Sequence, residues 1–345
     1  MTTAAAAVFP VDIRAVPDRL SVERLLRRVG ARLLRGLFVM VGVSALTFVL
    51  VEVAPGDFTD ELRLNPRIDP ETLAALRARY GLDAPLAERY VAWLASAVRG
   101  ELGYSFAYHV PVSQLLWDRA FNTLLLTTTA TTVAWVVAIP LGVHSAVRRG
   151  GIFDRTVAAA TAILQAVPDI LFGLAALWLA LWSGRLPTGG LRSLHADAAG
   201  GWPAFADRVA HLALPTLALV LAILPTLVRH VRASLIDVLQ APFILAARAR
   251  GIPERRLVYR TALRAAANPL TVLAGFSIAS LLSVSLVLEV ILSWPGLGPL
   301  LVEATLARDV HVIAGATTAA TFLLMLGMLA ADGLLYVVDP RVREG

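Results

Sequence analysis

Six stretches of this chain are apolar over the length a helix needs to cross a bilayer: residues 37–54, 121–147, 156–183, 211–228, 269–292 and 311–338. About 20 apolar residues cover the roughly 30 Å hydrocarbon layer, and a helix keeps every backbone N–H and C=O bonded within itself. The pattern therefore predicts six spanning helices. The fourth stretch is short and holds Pro215 and Pro225, which a membrane helix accepts where neighbours take up the freed carbonyls. The third contains Pro168 followed by Asp169, where the missing N–H argues against a regular helix.

The polar positions between these runs organise the rest. Residues 1–36 form an N-terminal segment in which Leu25, Leu26, Val29 and Leu33 share one helical face ringed by arginines. Two readings fit: a helix lying along the membrane surface, or a plain extension of the first span at 37–54. With no small-residue cleavage site, that span reads as an uncleaved anchor. Residues 55–119 form a loop on the far side. In it Asp69, Pro70 and Gly81 bracket one short helix, and Asp83, Pro85 and Gly100 bracket a second. These helices either cap the bundle or meet another protein. The loop at 184–210 is Gly-rich and reads as connection. Residues 120–338 hold the other spans, with an Arg-rich helix-turn-helix at 233–267, and 339–345 is a tail.

Composition changes the picture in two ways. Apolar residues make up 57% of 345 and mean hydropathy is +0.71, so the bilayer is the expected solvent. There is no cysteine, and all 31 basic residues are arginine. A P-loop requires its lysine, so no standard ATPase site is expected in this chain. The arginines collect before the first span, at Arg148, Arg149 and Arg155, and between Arg229 and Arg264, which predicts that this side and both termini are cytoplasmic. The net charge of +6 is then a topology signal with anionic lipid headgroups as its partner, and nucleic-acid binding is not expected.

Short motifs in order add a resemblance. They are Ala54-Pro-Gly-Asp57, Tyr80-Gly-Leu-Asp83, Gly100-Glu-Leu-Gly103, Asn122-Thr-Leu124, Ile139-Pro-Leu-Gly142, Phe243 to Gly251, Thr261-Ala-Leu-Arg264, Ser293-Trp-Pro-Gly-Leu-Gly298 and Asp339-Pro-Arg-Val-Arg343. Together they resemble the permease subunits of binding-protein-dependent ABC importers of the dipeptide, oligopeptide and nickel class, and in particular the first of two paired permeases. The resemblance implies an all-α membrane protein with the type I importer permease fold and a small external helical insertion, in a bacterial inner membrane. It implies a second homologous permease, two ATPase subunits carrying ATP and magnesium, and an external substrate-binding protein. No cofactor and no catalytic residue are implied in this chain. The family's Glu-Ala-Ala-(three residues)-Gly signature falls on Leu245, Ala246, Ala247 and Gly251, with Leu245 in place of the acid.

The ATPase-coupling residues so implied are Leu245, Ala246, Ala247, Arg248, Arg250, Gly251 and Pro253. Ala246 and Ala247 read as a slim face for a partner's groove. Gly251 reads as a left-handed cap, and Pro253 as the first turn of the next helix. The alternative is a membrane-surface hairpin.

Among ionisable residues in the spans, Asp169, with Gln165 one turn earlier, is a candidate for lining the pathway. It could equally cap a broken helix or pair with an arginine of the second permease. Glu289 and Asp332 read as structural, and Glu52 fits either role. The six histidines show no metal-ligand spacing. Trp93, Trp117, Trp182, Trp202 and Trp294 are expected in an interfacial belt, and Gly296 and Gly298 in a tight turn. A stand-alone secondary transporter would need a second broken helix to match the one at Asp169, and a membrane enzyme would need clustered catalytic groups. Cargo stays open among peptides, nickel chelates and other small solutes.

Overall fold

The computed structural model describes residues 19–54, 83–193 and 200–338, with isolated positions 56, 69, 71, 74 and 77 between the first two stretches. Among them every regular element is helical: α1 (Arg19–Val53), α2 (Leu86–Ala97), α3 (Val112–Val147), α4 (Ile152–Ala166), α5 (Asp169–Ser183), α6 (Gly201–Leu239), α7 (Pro242–Ala249), α8 (Glu254–Arg256), a π-helical turn (Leu257–Ala262), α9 (Leu263–Ala265), α10 (Ala267–Ile291), α11 (Leu297–Leu306) and α12 (Val310–Val338). Five helices are long and apolar enough to cross a membrane, and α4 with α5 makes a sixth crossing if the bent pair is one span.

The bend is 96°. Its cause is local: Val167, preceding Pro168, is held extended at φ −84°, ψ 124°, the conformation a following proline imposes. The N-terminal segment does not turn. Residues from Arg19 continue straight into the first span as one helix of 35 residues, so the plain extension is the observed arrangement over the described part. The fourth run becomes the longest helix, α6, with 39 residues. Pro215 and Pro225 are buried within it, so neighbouring helices surround both breaks in the ladder.

Of the two short helices expected between residues 55 and 119, α2 follows Pro85 and is succeeded by Gly100 at φ +87°. The other, expected from Asp69 and Pro70 to Gly81, lies outside the described residues apart from helical positions Glu71, Ala74 and Arg77. The motif at 339–343 also lies outside them.

Helix α6 is the centre of the bundle. It packs on α3, α4, α5 and α10, and 61% of its most apolar window is buried, against 17% for α1. Lipid is as apolar as leucine, so close backbone approach rather than water exclusion joins such helices. Gly142 provides one approach: a Cβ there would lie 2.6 Å from Val231 of α6. The largest cluster joins Leu126, Phe172, Leu219, Leu227, Leu281 and Trp294. A second, at the opposite end from α2, joins α3, α6 and α10 to the helix-turn-helix. Phe38, Leu50 and Val136, among many exposed apolar side chains, suit contact with lipid.

Candidate functional site

The helix-turn-helix is built by punctuation. Helix α6 stops at Gln240, Ala241 is extended, and Pro242 begins α7 where its missing N–H costs nothing. Within α7 the 3.6-residue period puts Ile244 and Ala247 on one side. Both are buried, in the cluster that also holds Val143, Val231, Leu257, Val258 and Leu270. Ala247 is therefore not part of a slim outward face. The outward face carries Ala246, with Phe243 and Leu245 each half exposed, and Arg248, Ala249 and Arg250 around it.

The turn follows directly. Gly251 sits at φ +78°, its N–H donates to Arg248 O, and Ile252 N–H donates to Ala247 O. A β-carbon at this φ is disfavoured, which is why glycine is needed. Pro253 caps rather than enters the next helix, and its carbonyl accepts from Leu257 N–H at 2.9 Å. Across the turn Arg248 grips Glu254 through two hydrogen bonds of 3.2 and 2.7 Å.

Beside the hairpin lies an ionic lock that the sequence reading missed. Asp154, in the first turn of α4, is buried and accepts from Arg232 of α6 at 2.6 and 2.8 Å. It also accepts from Ser145 of α3 and from Gly150 N–H in the α3–α4 loop. One carboxylate thus joins three elements next to the cluster that seats α7. A lone acid in the basic run from Arg148 to Arg155 was the available signal.

At the α2 end, two motifs read separately in the sequence meet. Trp294 donates its indole N–H to Asn122 O, Asn122 donates its amide to Pro295 O, and Leu297 N–H donates to Thr123 Oγ1. Glu289 is fully buried and accepts from Gly298 N–H at 2.8 Å. The tight turn is the observed form, and its glycines answer to space: a Cβ on Gly298 would meet Leu286 O at 2.1 Å. Trp294 is thus core and not belt, as is Trp93, whose indole donates to Leu102 O. Trp117, Trp182 and Trp202 are exposed. Buried Asp309 accepts from Ser105 Oγ and from the N–H groups of Phe106 and Ala107, and also from Val312 N–H at the start of α12. Tyr108 donates to Glu303, and burial together with that carboxylate pushes the phenol up to about 12.

The remaining candidates separate. Gln165 and Asp169 lie on the two arms of the bent pair. Gln165 accepts from Arg229 of α6, while Asp169 opens α5 exposed and without a side-chain partner among the described residues. The N-cap of α5 is Pro168, so Asp169 does not cap it. Asp332 pairs with Arg32 at 2.6 Å, tying α12 to α1, and Glu52 pairs with Arg89 at 3.0 Å. Among the described residues no group of three or more His, Asp or Glu side chains is placed to hold a metal ion.

A helical bundle with one broken span, a short helix-turn-helix between its fourth and fifth crossings and a helical insertion after the first is the type I ABC importer permease fold. The chain belongs to the family of binding-protein-dependent transport system inner membrane components, whose model matches residues 138–344, while the model of that family's N-terminal part matches 24–127. It is a permease component of such an importer. Over 313 residues it is 36% identical to the oligopeptide transport system permease protein AppB of Bacillus subtilis, covering 90% of this chain and 97% of that one. It is 33% identical over 321 residues to the dipeptide transport system permease protein DppB of Escherichia coli K12, covering 88% and 95%. A solved inward-facing form of the MetNI methionine ABC transporter shares the fold, with a TM-score of 0.52 and 22% identity, covering 66% of this chain and 97% of that one.

Proposed function

We propose that this chain forms half of a peptide pathway across a bacterial inner membrane, with the second half supplied by a homologous permease. In this reading both termini and the helix-turn-helix face the cytoplasm. Two ATPase subunits, which bind ATP and magnesium, grip the outward side of α7 and its counterpart. A substrate-binding protein delivers cargo at the end that carries α2.

The observation behind the reading is the two-sidedness of α7. Ile244 and Ala247 are buried in the chain's own core, while Leu245, Ala246, Arg248 and Arg250 are exposed beside the Gly251 turn. A chain without lysine also lacks a P-loop and must receive work from elsewhere. ATP-driven closure would bias the permease pair between two arrangements, and a swing from 1:99 to 99:1 needs about 5.5 kcal/mol of differential binding. Peptide cargo is supported by the names of the relatives.

Purification of the tagged chain from its native host tests the assembly. A second permease and ATPase chains should be retained, and ATP hydrolysis in vesicles should rise when peptide-loaded binding protein is added. A chain that purifies alone and transports alone overturns the proposal, while stimulation by a nickel chelate and not by peptides overturns the cargo.

Asp169 is proposed to face the pathway or the paired permease, because an exposed carboxylate in hydrocarbon is costly. Asp169→Asn should slow or alter uptake with the complex intact if it lines the pathway, and should dissociate the complex if it pairs across the interface. Asp169→Leu at the parent uptake rate with normal assembly excludes both roles.

A further inference from the structure

A cleft of about 1070 Å³ lies between the end of α3 and the segment that follows the Gly251 turn. Its chemistry is divided. Val147 and Tyr259 give it an exposed apolar wall, with the buried Val143 and Val258 behind them, and Arg148, Arg255, Arg256 and Arg260 line it with positive charge. All four arginines are exposed, and among the described residues none has a side-chain hydrogen bond or ion pair. The single carboxylate in the lining, Glu254, is engaged by Arg248. His144 also lines the cleft, with Nδ1 in contact with Pro140 O at 2.9 Å.

The position of the cleft narrows its occupant. Val143 and Val147 belong to the last turns of a membrane-crossing helix, so the wall lies where hydrocarbon gives way to headgroups. Tyr259 is partly exposed there, as an interfacial aromatic would be. A free phosphate would use the arginines and leave the apolar wall bare. A neutral lipid would do the reverse. We infer that this cleft is a binding site for an anionic phospholipid, with the arginines around its phosphate and its glycerol and upper acyl carbons against Val147 and Tyr259. Basic pockets among membrane helices are suited to such headgroups, and each nearby arginine strengthens binding on the order of fivefold.

This assignment rests on the membrane reading of α3 and not on the identity of the cargo. A lipid seated here touches α3 and the hairpin's second arm together. Lipid composition would therefore bear on the element that carries α7.

The absence of cysteine makes a direct test possible. Val147→Cys, labelled with a small fluorophore, is assembled with its importer partners in phosphatidylcholine vesicles. The minor component is either dibrominated phosphatidylglycerol or dibrominated phosphatidylcholine, whose bromines quench on contact. Phosphatidylglycerol should quench more strongly. The preference should fall on the order of fivefold for each arginine lost, vanish in Arg255→Gln/Arg256→Gln/Arg260→Gln, and return when the same three are replaced by lysine. Equal quenching by the two lipids overturns the site, as does a preference that survives the triple glutamine variant. A label quenched by neither lipid would mark the cleft as covered by protein, and a preference abolished by inorganic phosphate would mark a soluble-anion site. Either result overturns the assignment to lipid. Gel filtration of each variant with its partners confirms that the complex compared is the same.

Discussion

Gly251→Glu and Ala246→Arg should each abolish uptake while the protein still reaches the membrane at parent levels. The reason lies in what each position does not touch. A Cβ at Gly251 meets nothing within 4 Å, so the cost to folding is that of a side chain at φ +78°, about 1 to 3 kcal/mol for a strained residue, and the bundle survives it. Ala246 is exposed, so an arginine there adds bulk only on the side turned outward. Ala247→Arg is the contrast, since it drives a charge into the cluster of Ile244, Leu257 and Val258 and should lower the amount of folded protein. Transport assays with quantified co-purified ATPase separate the outcomes. Normal uptake and normal ATPase retention in both Gly251→Glu and Ala246→Arg would sink the coupling role.

Asp154→Ala should cost about 3 kcal/mol, the lower end of what removing one partner of a buried ion pair costs, since Arg232 keeps 31% exposure and Asp154 only 6%. The change leaves Arg232, Ser145 Oγ and Gly150 N–H without their shared acceptor. With total stabilities of about 5 to 15 kcal/mol, such a loss is large. Pairing it with Arg232→Leu should recover most of it, because no charge is then stranded. Thermal unfolding in detergent across the four members of this cycle reads the coupling. A loss under about 1 kcal/mol for the single change would show that the lock contributes little.

Much of the architecture was legible because a bilayer imposes simple arithmetic on apolar runs. Length and hydropathy located the six stretches, and Pro168 located the break, though not that the bend would reach 96°. The hairpin's turn was legible at Gly251, whose chemistry is local. Which alanine faces outward was available from the Ile244 and Ala247 spacing, but only once the inner neighbours Val231 and Leu257 are known does that side become the buried one. The interlocks were harder. Asn122 and Trp294 meet across 172 positions of sequence, and Asp154 meets Arg232 across 78. A sequence shows that a polar residue lies in an apolar run and requires a partner, but not which partner. The same limit explains the misplaced tryptophans. Trp93 and Trp294 fall near span ends as belt residues do, and only the acceptors at Leu102 O and Asn122 O make burial of their N–H groups tolerable.

The seating of α7 has a mechanical consequence. A lever wastes stroke wherever its handle bends, and α7 has little room to bend. Its eight residues span about 12 Å. Ile244 and Ala247 are buried in a cluster that also holds side chains of α3, α6, the π-helical turn and α10, and α7 itself packs on α6 and that turn. A push on the exposed side would thus be delivered to the end of α6 and, through the shared cluster, towards α3 and α10. Compliance then has to reside further along the chain, and Pro168, where the backbone hydrogen-bond ladder is interrupted between α4 and α5, is one joint available to it.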